Sequence, residues 1–226
     1  MGFFRGANVV TDGLVLALDA ANNKSYPGAG TVWNDLSGNG YTGTLTNGPT
    51  FNSENNGSIV FDGADDYSIG STTLNINNSV TLEAFIYPTS YILGFDAGGF
   101  IVSNIGYYLE LAYNGVIRSY FYGLSSQGYH YGTITIPLNT WSQVLVVRNI
   151  DDSTIKHYFN GALDNTISGI TGTINNGQQN YQVGGYQGSG YSYIGRIPTV
   201  RIYNRALSAQ EILQNYNAQK SRFNLT

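Results

Sequence analysis

Short runs of alternating apolar and polar residues recur along this chain, and turn-forming residues separate them. Alternation with a period of two places the apolar side chains on one face of a β-strand. The predicted strands are residues 14–18, 58–61, 80–87, 100–102, 107–113, 117–122, 133–136, 142–148, 154–159, 181–183 and 198–203. The pattern therefore predicts an all-β fold, in which helix is a minor element.

Two Asn-Gly pairs stand between alternating runs. Asn114-Gly115 divides LELAYNGVIRSYF, and Asn160-Gly161 divides IKHYFNGALDNTI. Both residue types accept positive φ, which a type I′ hairpin turn requires at its two central positions. The sequence thus predicts two β-hairpins and antiparallel pairing of their strands.

A helix signal occurs near the C-terminus. Ser208 and Glu211 have the spacing of a capping box, in which each side chain bonds to the backbone amide of the other residue. The spacing predicts one short helix over about residues 209–217. By contrast, residues 168–192 are rich in Gly, Asn, Gln, Ser and Tyr, which predicts a loop or a binding surface.

Length, charge and cysteine content narrow the function classes. The 226 residues fit one domain, and their composition, with 19 Tyr and 29 Gly, is typical of strands joined by tight turns. A net charge of −4 with only 10 Lys and Arg disfavours nucleic acid as a partner. The absence of cysteine excludes disulfides. The first residues, MGFFRGANVVTDGLVLALDA, show neither a bilayer span nor an evident secretory signal.

Seven short segments carry a family resemblance. In order they are GLVLALDA, WNDLSGNGYTGTL, SIVFDGADDYS, VTLEAFIYPTS, TWSQVLVVRN, IKHYFNGAL and VRIYNRALSAQEI. In this order the chain resembles the laminin-G-like, concanavalin A-like lectin/glucanase domains, over almost its whole length. The resemblance implies a concanavalin A-like jelly-roll β-sandwich of two antiparallel sheets with a short C-terminal helix.

The resemblance also suggests a setting. GLVLALDAANNKSYPG leading into DLSGNG is similar to virion proteins of tailed phages. The family resemblance implies a jelly-roll domain at residues 13–217, with an N-terminal arm at residues 1–12 and a C-terminal tail at residues 218–226. Phe3, Phe4 and Phe223 lie in these arms. The arms either anchor the domain to other virion subunits of the capsid or tail or pack back on their own domain. In the first case the protein is multimeric within a particle that is made in the host cytoplasm.

A loop with alternating oxygen-bearing side chains is a candidate calcium site. Asp35, Ser37 and Asn39 precede Gly40, and a further carboxylate is expected from Asp65 or Asp66. Similar jelly rolls often hold one structural calcium ion, so the resemblance makes such an ion an expectation here. The alternative is an ordinary Asx turn, in which Asp35 and Asn39 cap local backbone amides.

Aromatic residues near flexible backbone are candidates for carbohydrate binding, since a ring can stack on the apolar face of a sugar while amides bond its hydroxyls. One group contains Tyr120 and Tyr122 and the chosen candidates Tyr129, His130 and Tyr131; the other contains Tyr181 and Tyr193 and the chosen candidates Tyr186 and Tyr191. The alternative is that these rings pack at sheet edges or in subunit contacts. Trp33 and Trp141 are predicted to be core or core-edge residues.

Catalysis is disfavoured by the arrangement of acids. Glucanases of the resembled fold carry their carboxylates on one strand in a Glu-x-Asp-x-Glu pattern, which is missing here; Glu83 and Glu110 are single acids on separate strands. His130 and His157 lack a nucleophile or metal-ligand context. The missing acid pattern favours a non-catalytic domain, and with it the resemblance implies a phage structural or decoration protein with a lectin-like domain facing surface glycans. The alternatives are a cellular or secreted adhesin module and, less favoured, a glycoside hydrolase.

Overall fold

Two antiparallel sheets of eight strands each form the protein in the computed structural model, which describes residues 8–92, 94, 98–175, 179–186 and 191–226. The first sheet contains β1 (Leu14–Asp19), β4 (Thr50–Asn52), β5 (Ser58–Asp62), β7 (Val80–Pro88), β12 (Ser142–Asn149), β13 (Thr154–Phe159), β14 (Ala162–Ser168) and β16 (Ile194–Tyr203). The second contains β2 (Val32–Trp33), β3 (Gly43–Thr46), β6 (Tyr67–Thr73), β8 (Gly98–Asn104), β9 (Tyr107–Ala112), β10 (Val116–Phe121), β11 (His130–Thr135) and β15 (Asn180–Val183). The predicted jelly-roll sandwich is confirmed.

The strand order brings distant segments together. The first sheet has the order β14-β13-β12-β7-β16-β5-β4, and β1 pairs with β16 as well. The second has the order β11-β10-β9-β8-β15-β6-β3-β2. The second sheet therefore places β9 and β10 beside β8 and β11, and these four strands carry the candidate site.

The main hydrophobic core fills the space between the sheets. On β7 the residues Leu82, Ala84 and Ile86 point into it, as their alternation predicts. Trp33 belongs to the same core, and Trp141 is buried in a smaller cluster behind the first sheet, so both are buried as predicted.

Both predicted hairpins form, but their turns differ. At Asn160-Gly161 both residues have positive φ and Phe159 pairs with Ala162, which is the expected type I′ turn. At Asn114-Gly115 only Gly115 has positive φ, 81°, and its amide donates to the Ala112 carbonyl. This hairpin closes with three loop residues, so the predicted type I′ turn is wrong there.

One α-helix covers the outer face of the first sheet. Helix α1 spans Ala209–Gln219, and Ser208 and Glu211 form the predicted capping box. Beneath the helix, the fully buried Glu83 accepts hydrogen bonds from Gln143, Asn215 and Arg201, at 2.8, 2.8 and 3.2 Å. This network ties the helix to the strands below it.

The C-terminal tail packs on its own domain, one of the two alternatives for the arms. A 3-10 helix at Lys220–Phe223 buries Phe223, whose ring stacks on Phe85 at 4.8 Å and contacts Trp141 at the same distance. Arg222 bonds to the Asp19 carboxylate and to the Gly57 carbonyl. Residues 218–226 therefore belong to the folded unit, so the predicted boundary at residue 217 divides parts that pack together.

The N-terminal arm is described only in part. Residues 1–7, with Phe3 and Phe4, lie outside the described residues, whereas Val10 is buried and its carbonyl accepts a hydrogen bond from the Tyr203 hydroxyl. Within the described part of the chain, no helix has the length and apolar character needed to cross a membrane.

Candidate functional site: an aromatic face on the second sheet

Strand register builds an aromatic surface on the outer side of the second sheet. On β9 and β10 the alternate residues Leu109, Leu111 and Ile117 point into the core, so the residues between them point outward. Tyr108 pairs directly with Tyr120 across these strands. The neighbouring row of paired residues on the same face runs across the four strands from Phe100 through Glu110 and Arg118 to Tyr131. Four strands thus contribute to one continuous surface.

Seven rings form this surface, called the aromatic face below: Phe100, Tyr108, Tyr120, Tyr122, Tyr129, Tyr131 and Tyr186. The Tyr108 and Tyr120 rings are stacked at 5.3 Å, and Tyr120 lies 4.6 Å from Tyr122 and 5.5 Å from Tyr129. Phe100 extends the cluster to Tyr186 at 5.5 Å. Since aromatic pairs favour centroid distances of about 4.5–7 Å, the rings hold one another in place.

A buried ion pair supports the rings from below. The Arg118 Nε atom lies 2.5 Å from the Glu110 carboxylate, and both side chains are almost fully buried. The Arg118 guanidinium lies 3.7 Å from the centre of the Tyr129 ring, close enough for a cation–π contact. Arg118 is therefore a positioning residue for Tyr129.

Neutral polar groups surround the exposed rings. The Tyr108 hydroxyl donates to the Tyr122 hydroxyl, and the Tyr120 hydroxyl donates to the Gln127 side chain, both at 3.3 Å. Tyr186 bonds to Gln179 at 3.1 Å. Burial, with the hydrogen bond to Tyr122 added to it, raises the pKa of Tyr108. The phenol consequently stays neutral, and the face offers rings, hydroxyls and amides.

The predicted carbohydrate-binding residues fall into two groups. Tyr129, Tyr131 and Tyr186 belong to the aromatic face, and Tyr191 is exposed beside it, since its carbonyl accepts from the Phe100 amide. His130 is only 5% exposed because its side chain points into the interior, opposite Ser119 on β10. His130 is therefore not part of the exposed surface.

Tyr181 and Tyr193, which the sequence placed in the second aromatic group, are core residues. Conversely, the sequence reading missed Phe100, Tyr108 and the Glu110–Arg118 pair. The sequence pattern could have identified Tyr108, Glu110 and Arg118. They alternate with core residues on the two strands of the hairpin around Gly115, and this alternation places all three side chains on the same face. Phe100 reaches the face because the register between β8 and β9 shifts after Phe100, and no pattern in the sequence predicts this shift.

The structure places the predicted calcium donors in two separate groups, one around Asp35 and the other around Asp65 and Asp66. The Asp35 carboxylate accepts hydrogen bonds from the backbone amides of Ala17, Ser37 and Tyr41, at 2.9–3.1 Å. The Asn39 side chain donates to the Val15 carbonyl at 3.0 Å. The bond from the Ser37 amide is the Asx turn of the alternative, whereas Asn39 bonds to a carbonyl distant in sequence and caps no local amide through it. The bonds to Asp35 occupy both of its carboxylate oxygens.

Asp65 and Asp66 lie in a different acidic group. Their carboxylate oxygens and that of Asp62 fall within 4.8 Å of one another, and Asp35 is not a member of this group. Burial, together with the charges of Asp62 and Asp65, raises the pKa of Asp66, although a hydrogen bond from the Asp62 amide acts in the opposite direction. The chemistry of this group suits a hard cation.

The two single acids and His157 are engaged in structural contacts, and His130 is buried. Glu83 is held beneath helix α1, and Glu110 is paired with Arg118. The His157 Nε2 atom lies 3.0 Å from the Ser119 hydroxyl, with both residues fully buried between the sheets. None of these groups lies where a bound polymer could reach it.

Two stacked antiparallel sheets and an outer aromatic surface define a lectin-like β-sandwich. A sequence model of the concanavalin A-like lectin/glucanases superfamily matches residues 61–213. The chain belongs to this family. No curated protein matches it by sequence.

Solved structures share the fold at low identity. The binding domain of Paraclostridial Mosquitocidal Protein 1 is 18% identical with a TM-score of 0.71, over 92% of this chain and 52% of that one. The receptor-binding domain of botulinum neurotoxin type G is 15% identical with a TM-score of 0.71, over 92% and 52%. This chain thus spans about half the length of those toxin structures. Domain 4 of AbnA, an extracellular arabinanase from Geobacillus stearothermophilus solved with arabinotriose, is 17% identical with a TM-score of 0.66, over 90% and 98%.

Proposed function

We propose that this protein binds carbohydrate through the aromatic face and does not cleave it. The observation that carries the proposal is the assembly of seven rings on one outer sheet surface, with Tyr122 and Tyr131 each more than a third exposed. Exposed rings provide the apolar platform on which a sugar ring stacks, and Gln127 and Gln179 supply hydrogen bonds for its hydroxyls.

Further support comes from related structures and from the acids. The fold neighbours include binding domains and a domain solved with arabinotriose. Glu83 and Glu110 are both buried in ion pairs and are not opposed across a cleft, as the two carboxylates of a glycosidase would be. A binding role without hydrolysis is the function that this arrangement favours.

Replacing Tyr122 by alanine is expected to weaken binding to a recognised polysaccharide by about tenfold, equivalent to about 1.4 kcal/mol, because it removes an exposed stacking ring. Affinity electrophoresis in gels containing arabinan, galactan, xylan or dextran measures the change. Tyr113→Ala is the matched control, since Tyr113 is equally exposed but lies at the other end of the β9–β10 hairpin. Equal losses in both variants would contradict the assignment of the face, and release of reducing ends would contradict the non-catalytic role.

Calcium binding stays a prediction, and the geometry favours Asp62, Asp65 and Asp66 over the Asp35 loop as donors. If the ion binds there, calcium should raise the melting temperature by a few degrees over that in chelator. Asp65→Asn should lose this increase. Asp35→Asn should have a lower melting temperature in chelator but should still show the increase with calcium. Identical melting of the unmodified protein with calcium and with chelator would remove the prediction.

Attachment to a phage particle also stays a prediction of the family resemblance. Because residues 218–226 pack on their own domain, the N-terminal arm is the segment to which we assign the contact with virion subunits. In that setting the aromatic face would be presented toward glycans on a host or environmental surface, where many copies gain strength through avidity.

A further inference from the structure

Positive charge is almost absent from the second sheet and its loops. Arg118 is the only Lys or Arg between residues 25 and 147, and residues 157–195 contain none. Every strand of the second sheet lies in these two stretches. The aromatic face and all the loops that border it therefore have a single cationic side chain between them.

That one cation is already engaged. Arg118 is 2% exposed, its Nε atom lies 2.5 Å from the Glu110 carboxylate, and the Tyr129 ring covers its guanidinium at 3.7 Å. A ligand on the surface would have to displace Tyr129 and compete with Glu110 to reach it. The charge of Arg118 is thus used inside the face and is not presented to a ligand.

We infer that the aromatic face selects uncharged polysaccharides and rejects acidic ones, an inference that rests on the proposed carbohydrate-binding function. A sugar hydroxyl finds partners in phenol and amide groups, which both donate and accept hydrogen bonds. A carboxylate, by contrast, loses its hydration on contact with the rings and meets no cation in return, which is unfavourable. The face therefore discriminates against acidic polymers because it offers no cation to pair with their carboxylates.

Derivatives of one polymer that differ in charge but not much in size provide the test. Arabinan, galactan, xylan and dextran are each compared with their hydroxyethyl and carboxymethyl derivatives at equal substitution. For any polymer that binds, we expect the hydroxyethyl form to keep its affinity and the carboxymethyl form to bind at least about tenfold more weakly. Binding of the neutral form should change little between low and high salt, since it involves no ion pairs.

A gain-of-charge variant supplies the matched control. Gln127 is exposed beside Tyr120, so Gln127→Lys places a free cation at the edge of the face. Compared with Gln127→Met, which removes the same amide without adding charge, this variant should recover affinity for the carboxymethyl polymer at low salt and lose it again at high salt. Such recovery would show that the missing cation is the cause of the discrimination.

The outcomes separate the two proposals. Carboxymethyl polymers that bind the unmodified protein as tightly as the neutral forms would overturn the inference and leave the carbohydrate-binding function standing. Equal weakening by hydroxyethyl and carboxymethyl groups would also overturn it, because size and not charge would then be responsible. Failure of every polymer to bind in any form would refute the proposed function itself.

Discussion

Replacing Glu83 by alanine is expected to lower the free energy of unfolding by about 3–5 kcal/mol, because the change leaves a buried cation without its partner. Glu83 is fully buried and lies 3.2 Å from Arg201, whose side chain is 5% exposed. Its carboxylate also accepts from Asn215 on helix α1 and from Gln143 on β12. The substitution thus breaks an ion pair and one of the hydrogen bonds between the helix and the sheet.

A second ion pair, between β16 and the 3-10 helix at Glu54–Asn56, provides the control. Glu54 pairs with Arg196, but the Glu54 side chain is 66% exposed. Glu54→Ala should therefore cost less than about 1 kcal/mol, since an exposed pair is well solvated after it is broken. Urea unfolding of the three proteins measures both changes. A similar small loss in Glu83→Ala would mean that the buried network contributes little to holding helix α1 on the sheet.

Acidification is expected to destabilise the protein by about 3 kcal/mol between pH 7 and pH 4 through His157 alone. Burial between the sheets lowers the pKa of His157 to about 4. The charge of Asp164 acts in the opposite direction, and the charge of His130 adds a smaller decrease. In the unfolded chain the imidazole titrates near its usual value of about 6.5. Above this value both states are neutral, so the full stability is present. Below it the unfolded state takes up the proton first, and stability falls until the folded state is protonated near pH 4.

Comparison with His157→Gln isolates this contribution. Glutamine cannot titrate and can still bond with the Ser119 hydroxyl, so the variant should lose most of the decline between pH 6.5 and pH 4.5. Glu211 adds a decline of its own only as the pH approaches 4.5 and falls below it, because its hydrogen bond to Arg205 lowers its folded-state pKa from 4.5 to about 2, and this decline is common to both proteins. Burial lowers the pKa of His130 as well, so a smaller decline should persist in the variant. Parallel stability curves for the two proteins would contradict the assignment to His157.

Local chemistry was sufficient to predict several elements. The Ser208–Glu211 capping box specifies the start of helix α1, since both of its bonds lie within one helical turn. Asn160-Gly161 specifies its hairpin for the same reason, because both residues reach positive φ without help from elsewhere. At Asn114-Gly115, however, packing decides the turn. A two-residue turn would pair core-facing Leu109 with outward-facing Tyr120, so burial of alternate residues enforces the three-residue loop.

The sequence by itself determined the all-β class, the alternating core positions, the C-terminal helix and the abundance of tyrosine near loops, because these depend on neighbours along the chain. Only the tertiary structure decided which tyrosines are exposed. Tyr129 and Tyr181 are alike in sequence context, yet one lies on the aromatic face and the other in the core. It also decided that Glu110 and Arg118 neutralise each other and that Phe223 packs on Phe85. These outcomes depend on sheet order and register, which bring together residues that no local pattern connects.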